Sequence, residues 1–79
     1  MKKSEARIII YLSQVPPFKR NVTNISHQLD ITYNYVNKLL SKMVFLKWLR
    51  KNKLQIRMFY SLTELGKSQL DKAKEVLRE

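Results

Sequence analysis

Residues Thr32 to Leu46 read TYNYVNKLLSKMVFL, and the spacing predicts a helix. Thr32 suits the N-cap, because its hydroxyl can accept from the free N–H groups of the first turn. Val36, Leu39, Leu40 and Met43 recur at intervals of three and four, which makes one face apolar. Tyr33, Asn34, Asn37, Lys38, Ser41 and Lys42 occupy the rest, each ending in a hydrogen-bonding group. Asn can pair bidentately with adenine, Lys reaches guanine or phosphate, and Ser serves either. The same pattern suits an ordinary solvated helix face, so the flanking sequence has to decide between the two.

Just upstream, Thr23 is expected to cap a short helix, Asn24–Leu29, with Ile25 and Leu29 facing inward. Asp30 and Ile31 then make the turn into the Thr32 helix. A short helix, a tight turn and a longer polar-faced helix form the helix-turn-helix order. The turn holds no glycine, so spacing alone carries this reading. Further upstream, Ser4 is expected to cap a first helix, Glu5–Gln14, stopped by Pro16-Pro17. Ile8-Ile9-Ile10-Tyr11-Leu12 would suit a strand by itself, but the cap, Ala6 and the proline pair favour a helix. Such a helix is apolar around most of its circumference, which implies burial on two sides, against its own core and against a second subunit. Pro16–Val22 reads as a loop with a short extended piece at Arg20–Val22.

Downstream the period changes. Lys47–Lys51 and Leu54–Leu62 read as two strands with Lys51-Asn52-Lys53 at the bend. In the second strand Leu54, Ile56, Met58, Tyr60 and Leu62 alternate with Gln55, Arg57, Phe59 and Ser61. Phe59 falls on the nominally outer face and needs a partner there. Thr63 is expected to cap a last helix, Glu64 to about Arg78, with Leu65, Leu70, Ala73, Val76 and Leu77 along its apolar side.

The chain has 79 residues, enough for one domain over 1–79 with a marginal core. It has no cysteine, so disulfides and thiolate metal sites are excluded. No run reaches the ~20 apolar residues that span a bilayer, and a cytoplasmic location is expected, with the nucleoid, or a host cytoplasm for a viral or plasmid protein, as the setting. Lys and Arg number 16 against 6 acids, a net charge of +10. Between Asp30 and Glu64 there is no acid, while Lys38, Lys42, Lys47, Arg50, Lys51, Lys53 and Arg57 all fall there. A basic block of this kind is the footprint of a polyanion partner, whereas a merely lysine-rich surface would intersperse acids.

Enzyme chemistry finds no foothold in these residues. His27 is the one histidine and has no second histidine or cysteine to share a metal. One His and scattered carboxylates make no nucleophile–base set, and the lone glycine, Gly66, makes no phosphate-cradling loop. No catalytic residue, metal or cofactor is expected. Tyr33 is read as a groove or phosphate contact and Tyr35 as half-buried.

Helix, helix-turn-helix, β-hairpin, helix is the order of a winged helix-turn-helix domain, an α+β but mostly α class. Two stretches carry a resemblance to the multiple-antibiotic-resistance regulator (MarR) type and to small winged-helix proteins of archaea, their viruses and plasmids. Val36-Asn37-Lys38-Leu39-Leu40-Ser41-Lys42-Met43 is similar to that family's recognition helix. Tyr60-Ser61-Leu62-Thr63-Glu64-Leu65-Gly66 is similar to the segment where its wing enters the next helix. The resemblance implies a helix-turn-helix at about 23–46 and a wing at about 47–62. It implies double-stranded DNA as partner, with Thr32, Tyr33, Asn34, Asn37, Lys38 and Ser41 at the major groove and Lys42 nearer the backbone. Arg50, Lys51, Asn52, Lys53 and Arg57 of the wing would reach phosphate or the minor groove, and Thr23 and Asn24 would offer N–H groups to a phosphate. The function implied is transcriptional regulation. The alternatives from other classes are a winged-helix protein-interaction module of the transcription machinery and an RNA-binding accessory protein. Lys47 stands where the family usually has glycine, and Val44-Phe45-Leu46 replace polar residues.

Those apolar residues predict a homodimer. Ile8, Tyr11, Leu12, Phe45, Leu70, Ala73 and Leu77 are the candidates for its interface.

Overall fold

The isoleucine run lies inside a helix. In the computed structural model, which describes residues 1–78, α1 spans Lys3–Gln14. Glu5, Ala6, Ile8, Ile9 and Leu12 form its buried stripe at helical spacing. Ser4 does not cap it. Glu5 reaches back instead and accepts from the Lys2 backbone N–H at 2.8 Å, one half of a capping box. A 3-10 turn at Pro17–Lys19 follows. Then come α2 (Val22–Leu29), α3 (Tyr33–Phe45), β1 (Leu49–Leu54), β2 (Arg57–Leu62), α4 (Glu64–Lys67) and α5 (Leu70–Arg78).

α1 packs against α2, β2 and α5, so its wide apolar circumference is absorbed by its own chain. Ile8, Ile9, Leu12, Ile25, Val36, Leu40, Met43 and Ala73 are all essentially buried in one cluster. Each large aliphatic there contributes ~2 kcal/mol relative to exposure. Ile8, Leu12 and Ala73, expected at a dimer seam, are therefore core residues and offer no surface to a second copy. Among the described residues no helix is long and apolar enough to cross a membrane.

The turn between α2 and α3 works without glycine because Asp30 takes a left-handed conformation, φ 55°, which Asp tolerates better than most residues. The N–H groups of Asp30 and Ile31 both donate to the Ser26 carbonyl. Arg7 of α1 donates from Nη2 to the Leu29 carbonyl at 2.7 Å, placing a cation at the negative end of α2. α3 ends in a Schellman motif: Trp48 N–H donates to the Met43 carbonyl and Lys47 N–H to that of Val44, both at 3.0 Å. Lys47 carries the left-handed residue of that motif, φ 67°, the post glycine would normally fill.

β1 and β2 form an antiparallel hairpin in the register Leu49↔Leu62 to Leu54↔Arg57. The connecting turn is Gln55-Ile56, with Gln55 at φ 57°. Lys51-Asn52-Lys53, expected at the bend, lie within β1 and pair with Tyr60, Phe59 and Met58. The hairpin reaches further from the core than a bend at residue 52 would allow. Leu49 and Tyr60 are buried at its base, whereas Leu54 and Ile56, expected to face inward, are 63% and 91% exposed. Phe59 is half-buried and, with Phe18, lines a hollow of about 560 Å³ beside Pro17 and Leu54.

The last helix is broken. Thr63 caps α4 as expected, its Oγ1 accepting from Gly66 N–H at 3.0 Å, and its hydroxyl also donates to the Lys47 carbonyl at 2.5 Å. The chain then kinks at Ser68-Gln69 before α5 lies along α1.

Candidate nucleic-acid interface

α3 divides as its spacing requires. Val36, Leu39, Leu40 and Met43 are buried, and Tyr33, Asn34, Asn37, Lys38 and Ser41 are exposed. Thr32 is the N-cap, its Oγ1 accepting from Tyr35 N–H at 3.4 Å. Tyr35 is 37% exposed.

A concavity of about 600 Å³ runs between α3, the start of α2 and the hairpin. It brings Tyr33 and Asn37 together with Thr23, Asn24, Lys51 and Arg57. Lys53 shares the Lys51 side of the hairpin, since residues two apart along a strand point the same way. Arg50 and Asn52 project to the opposite side. Thr32, Asn34, Lys38 and Ser41 are exposed on α3 but do not line the concavity.

Asn21, Val22, Ile56, Met58 and Tyr60 also line the concavity and are not among the expected site residues. Tyr60 closes its floor, and burial, with the neighbouring Tyr33, pushes its phenol up from the usual value of 10.0. The Tyr60 N–H donates to the Arg20 carbonyl at 2.8 Å, so Arg20 anchors the hairpin through one bond; the extended piece expected at Arg20–Val22 is absent, because Asn21 caps α2 and Val22 is its first residue. Ile56 and Met58 line the hairpin side. Their position follows from the register, which the sequence leaves open.

The start of α2 differs from expectation. Its N-cap is Asn21, whose Oδ1 accepts from Asn24 N–H at 2.9 Å. Asn24 therefore has no free backbone N–H to offer a phosphate. Thr23 sits in the first turn, exposed, and is not the cap. The preference of Asn for this position is the signal that could have located it.

Lys42 is also not a free cation. Its Nζ lies 2.8 Å from Oε2 of Glu5, which is 2% exposed. Burial pushes the Glu5 carboxyl up, but its hydrogen bond to Lys42, the Lys2 N–H and the Lys42 charge outweigh that, and it ends below the usual 4.5. Lys42, expected nearer the DNA backbone, is thus paired with α1.

Of the remaining interface candidates, Phe45 is 84% exposed and Leu77 40%, while Tyr11 and Leu70 are half-buried against the core.

The sequence matches no family model and no curated protein. Solved structures do match. The transcriptional regulator BldR from Sulfolobus solfataricus superposes with a TM-score of 0.82 at 19% identity, over 95% of this chain and 54% of that one. SP03579, a MarR family transcription regulator, gives 0.79 at 15% identity, over 91% and 48%. Human N-acetylserotonin methyltransferase gives 0.72 at 25% identity over 81% of this chain, but only 18% of the enzyme. The chain spans about half the length of the regulators it matches. Its fold is the MarR-like winged helix-turn-helix.

Proposed function

We propose that the chain is a sequence-specific, double-stranded-DNA-binding transcriptional regulator. α3 enters the major groove and the hairpin's cations run along the backbone or into the minor groove. The carrying observation is the shared concavity, in which Asn37 and Tyr33 of α3 face Lys51 and Arg57 of the hairpin. Among the described residues, ion pairs join Lys42 to Glu5 and Lys67 to Glu64, and neither takes up Lys38, Arg50, Lys51, Lys53 or Arg57, which can meet phosphates. Amides that can read base edges and cations that can grip the backbone thus border one hollow.

The regulator acts as a homodimer, with two α3 helices on half-sites ~34 Å apart. The exposure of Phe45, Leu65 and Leu77 supports that pairing.

Titration of duplex binding against salt tests the reading. If Lys38, Arg50, Lys51, Lys53 and Arg57 each meet one phosphate, log K against log salt should fall with a slope of about −4.5 per subunit. A slope near zero, with tight capture of an acidic protein, favours the protein-interaction module. Equal competition by double-stranded RNA favours the RNA-binding alternative.

A further inference from the structure

The apex of the hairpin presents one exposed aliphatic side chain, and we infer that Ile56 is a wedge that enters the duplex between adjacent base pairs and bends it, an inference that rests on the DNA-binding reading above. Ile56 is 91% exposed, more than Phe45, Phe18 or Leu54. A single exposed aliphatic is ordinary on a protein surface. What distinguishes this one is how it is held and what surrounds it.

The turn has two residues, and the first, Gln55, takes a left-handed φ of 57° with no glycine to ease it. So short a turn places Ile56 at the end of the hairpin, with Leu54 (63% exposed) and Met58 (36%) in the strands that flank it. Ile56 also lines the concavity that holds Tyr33, Asn37, Lys51 and Arg57. A polyanion filling that space meets the apex as well as the cations.

Charge complementarity selects the occupant. Arg57 adjoins Ile56 in sequence, and Lys53 pairs across the hairpin with Met58. These cations can hold phosphates on either side of the tip, but the Ile56 side chain itself has nothing to offer a phosphate. The extended apolar surface of a duplex is its base stack. Aliphatic side chains that reach it part a base step and kink the helix axis. A step of low stacking energy, pyrimidine followed by purine, should lie under the tip.

The test uses a duplex of about 30 base pairs, recovered by selection from random sequence and carrying a dye at each end. The full chain should shorten the end-to-end distance on binding. Ile56→Ser should bind roughly tenfold more weakly, leave the duplex straight and keep the same salt slope, because no charge is lost. Ile56→Leu should keep the bend. The side chain makes so little contact with its own chain that these changes leave the fold intact, and circular dichroism checks this. A straight duplex with the bound wild type overturns the inference while the DNA-binding reading stands. So does an unchanged bend with Ile56→Ser, or an Ile56-dependent attachment to anionic vesicles without bending. Failure of the wild type to bind any duplex overturns both.

Discussion

Glu5 of α1 and Lys42 of α3 meet at 2.8 Å, the carboxylate buried and the ammonium half-exposed. The pair ties the helix at the back of the core to the helix that presents the polar face. The folded Glu5 pKa lies below its usual 4.5, so its contribution to stability is complete above that value and is lost as pH falls through the lower folded one. Wild-type stability should therefore drop more steeply than that of Glu5→Gln between about pH 5 and pH 3. At neutral pH Glu5→Gln should cost ~1–3 kcal/mol. Lys42→Met should cost about as much, less than the loss of a fully buried pair because Lys42 is partly solvated. Denaturant melts across that pH range check both, and parallel profiles for wild type and Glu5→Gln would contradict the assignment.

Two left-handed residues should respond to glycine. Lys47 closes the Schellman motif at φ 67° and Gln55 opens the hairpin turn at φ 57°. A non-glycine residue there costs ~1–2 kcal/mol, part of which glycine returns to the unfolded chain as entropy. Lys47→Gly and Gln55→Gly should each raise stability by ~0.5–1 kcal/mol. Asp30→Gly should gain less, because Asp visits this region more readily. Thermal midpoints decide, and a loss at Lys47 would mean its side chain makes a contact that outweighs the strain.

Gly66 is required for space rather than for its φ. A Cβ there would overlap the Trp48 carbonyl oxygen and lie 2.9 Å from its carbon and 3.2 Å from Leu62 Cδ2. The obstacle is backbone, already fixed by the Thr63 N–H at 3.0 Å, and it cannot swing aside. Gly66→Ala should destabilise by ~3 kcal/mol or more, read as a shift in the urea midpoint.

The same feature shows what the sequence made legible. The Leu62-Thr63-Glu64-Leu65-Gly66 segment and the α3 stripe were readable because cap chemistry and period are local properties. The α1 run was readable as a helix because Pro16-Pro17 stops it. The hairpin tip was not, since Asn52 has the residue type that turns favour while the left-handed residue is Gln55. The break at Ser68-Gln69 carries neither glycine nor proline, so α4 and α5 read as one helix. Glu5 and Lys42 lie on different helices, and no local pattern joins them. That contact, with the Asn21 cap, changed the candidate site most: it paired Lys42 with α1 and removed the free N–H of Asn24. The dimer candidates failed in part because a helix apolar on most sides gives no sign of whether its own chain or a second copy covers it.

Assembly is tested by sedimentation. With Ile8, Leu12 and Ala73 inside the core, the pairing surface rests on Phe45, Leu65 and Leu77. Sedimentation at tens of micromolar should show a dimer, and Leu77→Lys or Phe45→Lys should weaken it without unfolding the chain. A monomeric wild type would remove the two half-site geometry.

Asn37 lines the concavity from α3 and Lys53 extends along the hairpin, so the division of labour between reading and gripping can be measured directly. The measurement is the ratio of affinities for a selected duplex and a random one, taken for wild type, Asn37→Ala and Lys53→Ala. Asn37→Ala should lose ~1–3 kcal/mol on the selected duplex and little on the random one, so the ratio narrows. Lys53→Ala should weaken both alike and reduce the salt slope by about one unit. An Asn37→Ala chain that keeps its full ratio while Lys53→Ala loses it would contradict the assignment of α3 as the reading helix.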